Sequence, residues 1–166
     1  MSESRGESEY QIDWYRDGND APVYRWLTEE LSELACELVG AAIREILQAE
    51  GPNVCETRFG RQLGKGLFEF RLDGDPQPWI DEARKRRGKK PRQLEEPDGE
   101  VLYRIFCHAH GDKIILLLGA YDKGQDTSKK RQTAEIETAR KRLRKWQEEE
   151  RAATARADAA KRPGKK

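Results

Sequence analysis

Apolar residues return along this chain with two periods, and the switch between them sets the predicted elements. Across residues 23–50, Leu27, Leu31, Leu34, Leu38, Ala42 and Ile46 recur at three and four residues, with Glu29, Glu30, Glu33, Glu37 and Glu45 between them. That spacing places the apolar side chains on one stripe of a helix or helical hairpin and the carboxylates toward solvent. Asn19 or Asp20 suits the N-cap, Pro22 the first turn and Gly51-Pro52-Asn53 the stop. The period then shortens to two. Residues 67–72 alternate Phe68 and Phe70 against Glu69 and Arg71, and residues 101–107 alternate Val101, Tyr103, Ile105 and Cys107 against Leu102, Arg104 and Phe106. The near-continuous run from Ile114 to Leu118 reads as a strand covered on both faces, and His110-Gly111-Asp112 as the hairpin that leads into it. A short strand is expected over residues 10–15. A last helix starts near Thr127-Ser128, with Ile136, Ala139, Leu143 and Trp146 forming one stripe opposite Arg131, Arg140, Lys141, Arg142, Arg144 and Lys145.

Strands framed by helices predict a single α+β domain over residues 10–150. It comprises an N-terminal strand, a helix or helical hairpin, an antiparallel sheet of three or four strands and a C-terminal helix. The acidic residues 1–9 and the basic residues 151–166 read as disordered tails. Residues 73–100, rich in Pro, Gly and charge, read as an inserted exposed basic loop with at most a short helix.

Composition adds a division that the pattern hides. Charged residues make up 38% of the 166, against a usual share of about 25%. Residues 1–50 hold 4 basic and 12 acidic side chains, residues 51–166 hold 28 and 19, so the net charge of +1 joins a −8 third to a +9 remainder. Local patches therefore decide the partners. The longest apolar run, Ile114 to Ala120, is too short to cross a bilayer, and the acidic start lacks the order of a signal peptide, so no membrane partner is expected. Three widely spaced cysteines, Cys36, Cys55 and Cys107, argue against a disulfide framework and for a reducing, cytoplasmic setting.

Three segments, taken in order, resemble the RelE/ParE superfamily of toxins from bacterial type II toxin–antitoxin pairs, most closely its HigB-like, phage-related branch. They are Leu63-Gly64-Lys65-Gly66-Leu67-Phe68-Glu69-Phe70-Arg71, then Tyr103-Arg104-Ile105-Phe106. The third runs from Ile114 through Tyr121 to Lys123, Gln125, Thr127 and a helix holding Glu135-Ile136 and Ala139-Arg140. The resemblance implies a RelE-like fold and a messenger-RNA endonuclease that acts at the ribosome, with a helix-turn-helix antitoxin as partner. It requires no cofactor and no metal. In such chemistry a 2′-hydroxyl attacks the adjacent phosphate, and fixed cations stabilise the charge that develops there.

Carried onto this sequence, the resemblance makes Arg71, Arg104, Lys123, Tyr103 and Tyr121 the candidate catalytic residues. Lys65, the run Arg84, Lys85, Arg86, Arg87, Lys89 and Lys90, and Lys129 and Lys130 are the candidate RNA contacts. Asp122 and Asp126 depart from the family's basic pattern after the last strand. They keep two alternatives open: a ParE-like inhibitor of DNA gyrase without nuclease activity, and a catalytically degenerate RNA- or ribosome-binding module. Read without the resemblance, Arg71 and Arg104 are better explained as exposed cross-strand partners of carboxylates such as Glu69, and with it the two readings are even. Cys107-His108-Ala109-His110 has too few ligands for a metal site, since alternation puts the two histidines on one face and Cys107 on the other.

Overall fold

A computed structural model describes residues 9–91 and 101–161. The expected tail residues 1–8 and 162–166 and the distal part of the expected loop, residues 92–100, lie outside the described residues.

Strands β1 (Gln11–Trp14), β2 (Gly60–Gly64), β3 (Leu67–Gly74), β4 (Val101–His110) and β5 (Ile114–Asp122) form one sheet in the order β1-β5-β4-β3-β2. The fold is α+β as expected, but the sheet has five strands and is mixed: β1 runs parallel to β5, and the other pairs are antiparallel. The strand absent from the expectation is β2. It is an edge strand whose sequence, GRQLG, carries one large apolar residue, so alternation gives no signal there. It joins β3 through a two-residue turn in which Lys65 (φ 55°) and Gly66 (φ 83°) both take positive φ, the backbone form that suits the twist of a hairpin.

On one sheet face lies a layer of helices. The long apolar periodicity divides at Leu31, whose extended backbone separates α1 (Pro22–Arg25) and its π-helical continuation Trp26–Glu30 from α2 (Glu33–Ala42). Ser32 caps α2 by accepting from the Ala35 N–H at 3.1 Å. The helix continues through a π-helical stretch, Ile43–Leu47, into α3 (Gln48–Glu50), which ends at Gly51. There φ is +57°, and the Tyr10 ring lies 2.4 Å from where a Cβ would stand, so only glycine fits. Val39, Leu47, Phe70, Ile105 and Leu117 are buried in the core between this layer and the sheet. Each such side chain stabilises by roughly 1.5–3 kcal/mol.

The other face is covered by α5 (Lys129–Lys161), through Ala139 and Leu143 against Leu67, Phe106, Leu116, Leu118 and Tyr121. The Ile114–Leu118 run is internal in the sheet and serves both layers: Ile115 and Leu117 face the helical layer, Leu116 and Leu118 face α5. Two expectations are corrected. The stretch expected as a basic loop first completes β3 and then forms α4 (Gln77–Arg86), a ten-residue helix anchored by buried Ile80 and Ala83 and obscured in sequence by its charge. The expected disordered tail is helical to Lys161, because Ala, Glu, Arg and Lys are strong helix formers and no Gly or Pro interrupts them before Pro163. No helix of the described residues is long and apolar enough to cross a membrane.

Candidate functional site

Antiparallel register decides which candidate residues meet. Arg71 lies directly opposite Arg104, and Arg104 directly opposite Tyr121, so three candidates share the sheet face that α5 partly covers. Tyr103 points the other way. It is buried against Trp26 in the helical layer, ring centroids 5.5 Å apart, away from the arginines. Lys65 sits at the tip of the β2–β3 turn, six residues from Arg71 and thus about 20 Å along the strand.

The shared face is built around Glu69. Sequence alternation presents this residue as solvent-facing, whereas the structure buries it completely. Its Oε1 lies 3.4 Å from Arg71 Nε and 3.7 Å from Arg104 Nε, and neither carboxylate oxygen accepts a hydrogen bond among the described residues. Arg104, 2% exposed, also donates to Asp73 and to the Tyr103 carbonyl. Arg71, at 31%, is the guanidinium of the pair that reaches solvent. Two cations are thus balanced by two carboxylates, and Arg104 is held by Glu69 and Asp73 instead of facing open space. The Glu69 carboxylate draws both guanidiniums to one face of the sheet by charge, and Arg71 is the one that can meet a phosphate there.

Tyr121 extends this network to a polar cleft of about 260 Å³, lined also by Arg25, Asp122, Arg131, Glu135 and Arg142. Burial first, and then the Glu69 charge, raise the Tyr121 hydroxyl above its ordinary value, and it has no hydrogen-bond partner among the described residues. It therefore stays protonated at neutral pH, and at 1% exposure it is closed off from solvent. The Arg131 guanidinium lies 5.2 Å from the Tyr121 ring centroid. Lys129 and Lys130 are exposed on the first turn of α5 beside it, and Lys123 stands half-buried in the preceding turn.

The two unexpected aspartates belong to that turn. Asp122 accepts from the Gly124 N–H at 2.8 Å, and Asp126 accepts from the Ser128 N–H at 3.0 Å. Hydrogen bonds with Ser128 hold the Asp126 carboxyl below its ordinary range. Both residues therefore have a local structural role in launching α5.

The remaining basic candidates lie on the opposite side of the sheet, at the end of α4. Arg84 and Arg87 are committed to buried Glu45, at 3.2 Å and 3.0 Å, and Arg87 also pairs with Glu9. Lys85, Arg86, Lys89 and Lys90 are exposed. His108 and His110 share a face as alternation requires, stacked 6.2 Å apart beneath Trp146, while Cys107 is buried in the opposite core. His108 Nδ1 lies 2.7 Å from the Gly66 carbonyl, an arrangement that makes Nδ1 the donor. Among the described residues no group of three or more His, Cys, Asp or Glu stands ready to hold a metal ion. In comparison with known proteins, no family model matches the chain, and no curated protein matches it in sequence.

Sequence reasoning missed Glu69 as the centre of the site. The available signal was its position two residues before Arg71, on the face that register shares with Arg104. It was obscured because an acidic residue in an alternating strand reads by default as solvent-facing.

Proposed function

We propose that the chain is the toxin of a type II toxin–antitoxin pair, a RelE-like messenger-RNA endonuclease that acts at the ribosome and is neutralised by a helix-turn-helix antitoxin. The observation that carries this reading is the Glu69-centred cluster, in which one buried carboxylate orients two cross-strand arginines beside a protonated tyrosine. The order of strand, two helices, sheet and closing helix also supports it.

In the proposed reaction the 2′-oxygen bonds to phosphorus as its proton passes to solvent, and the bond from phosphorus to the 5′-oxygen breaks. The products are a 2′,3′-cyclic phosphate and a 5′-hydroxyl. Arg71 contacts the phosphate and stabilises its developing charge. The departing 5′-oxygen takes up a proton from solvent. Lys123, Lys129 and Lys130 contribute positive potential along the strand. Glu69, Arg104 and Tyr121, the last only 1% exposed, are positioning residues, because their burial keeps them from the substrate.

Primer extension on a translated message, with and without induction of the chain, tests the reading. Induction is expected to arrest growth and produce ribosome-dependent cuts, and Arg71→Ala to abolish both while the protein stays folded. Growth arrest and cleavage unchanged by Arg71→Ala would overturn the site. A second reading, an RNA- or ribosome-binding module without cleavage, is favoured by one observation: Arg104 is 2% exposed and turned toward Glu69 and Asp73. Binding to ribosomes with every message intact would select it.

A further inference from the structure

A second cavity lies away from the Glu69 cluster, on the side of the sheet that carries the helical layer. It is a groove of about 500 Å³ between α4 and the end of the helical layer. That volume falls within the range of small-ligand sites, roughly 300–1,000 Å³. Phe59 and Trp79 meet edge to face in its wall, 5.5 Å between ring centroids. Trp79 remains 37% exposed, one of two large apolar side chains so placed among the described residues. The Arg58 guanidinium lies 4.5 Å from the Trp79 ring centroid. Arg86 lines the same groove and has no ion-pair partner among the described residues, while Lys85, Lys89 and Lys90 lie exposed beside it. Glu50, half-buried on the opposite wall, supplies an acceptor.

A flat apolar wall, a stacked guanidinium, a cation without an ion-pair partner among the described residues and one carboxylate acceptor match the parts of a single nucleotide: a ring face, a phosphate and an amino-bearing base edge. We infer that this groove is a nucleotide subsite, which stacks an unpaired base against Trp79 and Arg58 and holds its phosphate on Arg86. The inference deepens the RNA reading and rests on it for the source of the nucleotide, but it does not depend on cleavage. Arg84 and Arg87, fastened to Glu45, serve to fix α4 as one wall. The basic segment then has a division of labour, with two arginines building the groove and its other cations attracting the phosphate chain.

Fluorescence anisotropy of a labelled, unstructured RNA oligonucleotide, titrated with the full chain, tests the inference. Trp79→Ala is expected to weaken binding ~10-fold, since stacking on one base is worth about 1–3 kcal/mol. Trp79→Phe should restore most of the affinity, which separates stacking from any change in folding. Arg86→Glu should weaken binding and flatten its salt dependence. Competition by guanosine, adenosine and uridine monophosphates distinguishes the sources: displacement by the free nucleotides identifies a self-sufficient nucleotide site, and no displacement identifies one that needs the RNA chain. Uridine monophosphate, whose base carries no amino group for Glu50, is expected to compete least. Affinity unchanged in Trp79→Ala would overturn the inference, as would affinity lost equally in Trp79→Ala and Trp79→Phe. Anisotropy reads binding and primer extension reads cleavage, so unchanged affinity in Trp79→Ala and intact messages on induction are separate results, the first overturning this inference and the second the cleavage reading.

Discussion

The helical layer and the sheet face beneath α5 each bury one glutamate between two arginines, and they do so differently. Glu45 meets Arg84 and Arg87, whose side chains keep 22% and 25% of their exposure, and it accepts a hydrogen bond from Arg84. Glu69 meets Arg71 and Arg104 at longer range without a hydrogen bond, and Arg104 is 2% exposed. The first arrangement fastens one surface helix to another. The second sits under a strand pair, where a charge left alone has no water to turn to. Burial by itself therefore does not mark a site: Glu45 leaves one carboxylate oxygen without a hydrogen bond and Glu69 leaves both, among the described residues, and that full lack separates a candidate site from a staple.

The sharpest way to break that comparison is to remove one arginine from each cluster. Arg104→Ala leaves buried Glu69 with only the partly solvated Arg71 and removes the partner of Asp73, and is expected to cost about 3–5 kcal/mol of stability, as for breaking a buried pair. Arg84→Ala leaves Glu45 with Arg87 and with water nearby, and should cost about 1 kcal/mol. Urea denaturation of the two variants measures both. Equal losses would mean that the two glutamates have the same role. Arg71→Ala belongs with the smaller effect, about 1 kcal/mol, because the side chain is partly solvated and Arg104 remains beside Glu69.

The contrast also explains what could be read from sequence. The apolar periods located both helical stretches and four of the five strands, because Leu38, Ile46, Phe70 and Leu117 repeat at the spacing their burial demands. They were silent on β2 and α4, whose sequences GRQLG and QPWIDEARKR are mostly polar and rely on a few anchors. Pairing register lay beyond the pattern as well. That Arg71, Arg104 and Tyr121 share a face depends on which residues stand opposite across the sheet, a long-range choice made by turns and packing. Glu69 was visible as a residue but not as a buried one, since its cover comes from elements far along the chain.

A smaller effect should appear on acidification beneath α5. Burial first, and then the neighbouring His108, hold the His110 imidazole below its ordinary value of 6.5, against the opposing pull of Asp13 and Glu150. The folded state therefore prefers neutral His110, and the unfolded chain takes up the proton first. The stabilisation is fully present above the unfolded value and is lost as pH falls from there through the lowered folded value. Thermal unfolding compared at about pH 7.5 and about pH 5.5 should show His110→Gln losing less stability than the parent chain. An equal loss in both would place the sensitive groups elsewhere.

The smallest effect is expected at the far end of α5, which divides the helix into two unlike halves. As far as Trp146 it packs on the sheet through Ile136, Ala139 and Leu143, and the Arg142 guanidinium donates to the Leu118 carbonyl at 2.8 Å. From Glu148 to Lys161 every residue is exposed. A helix that buries nothing is stabilised by propensity alone, and such segments are marginal in water when isolated. Here the packed half supplies the nucleus, and Ala, Glu and Arg propagate it. Truncation after Gln147 should then lower helical circular dichroism while leaving urea stability within about 0.5 kcal/mol of the parent. A larger loss would show that the exposed half contributes to the fold, and would remove the distinction between a helix that holds the sheet and one that extends from it.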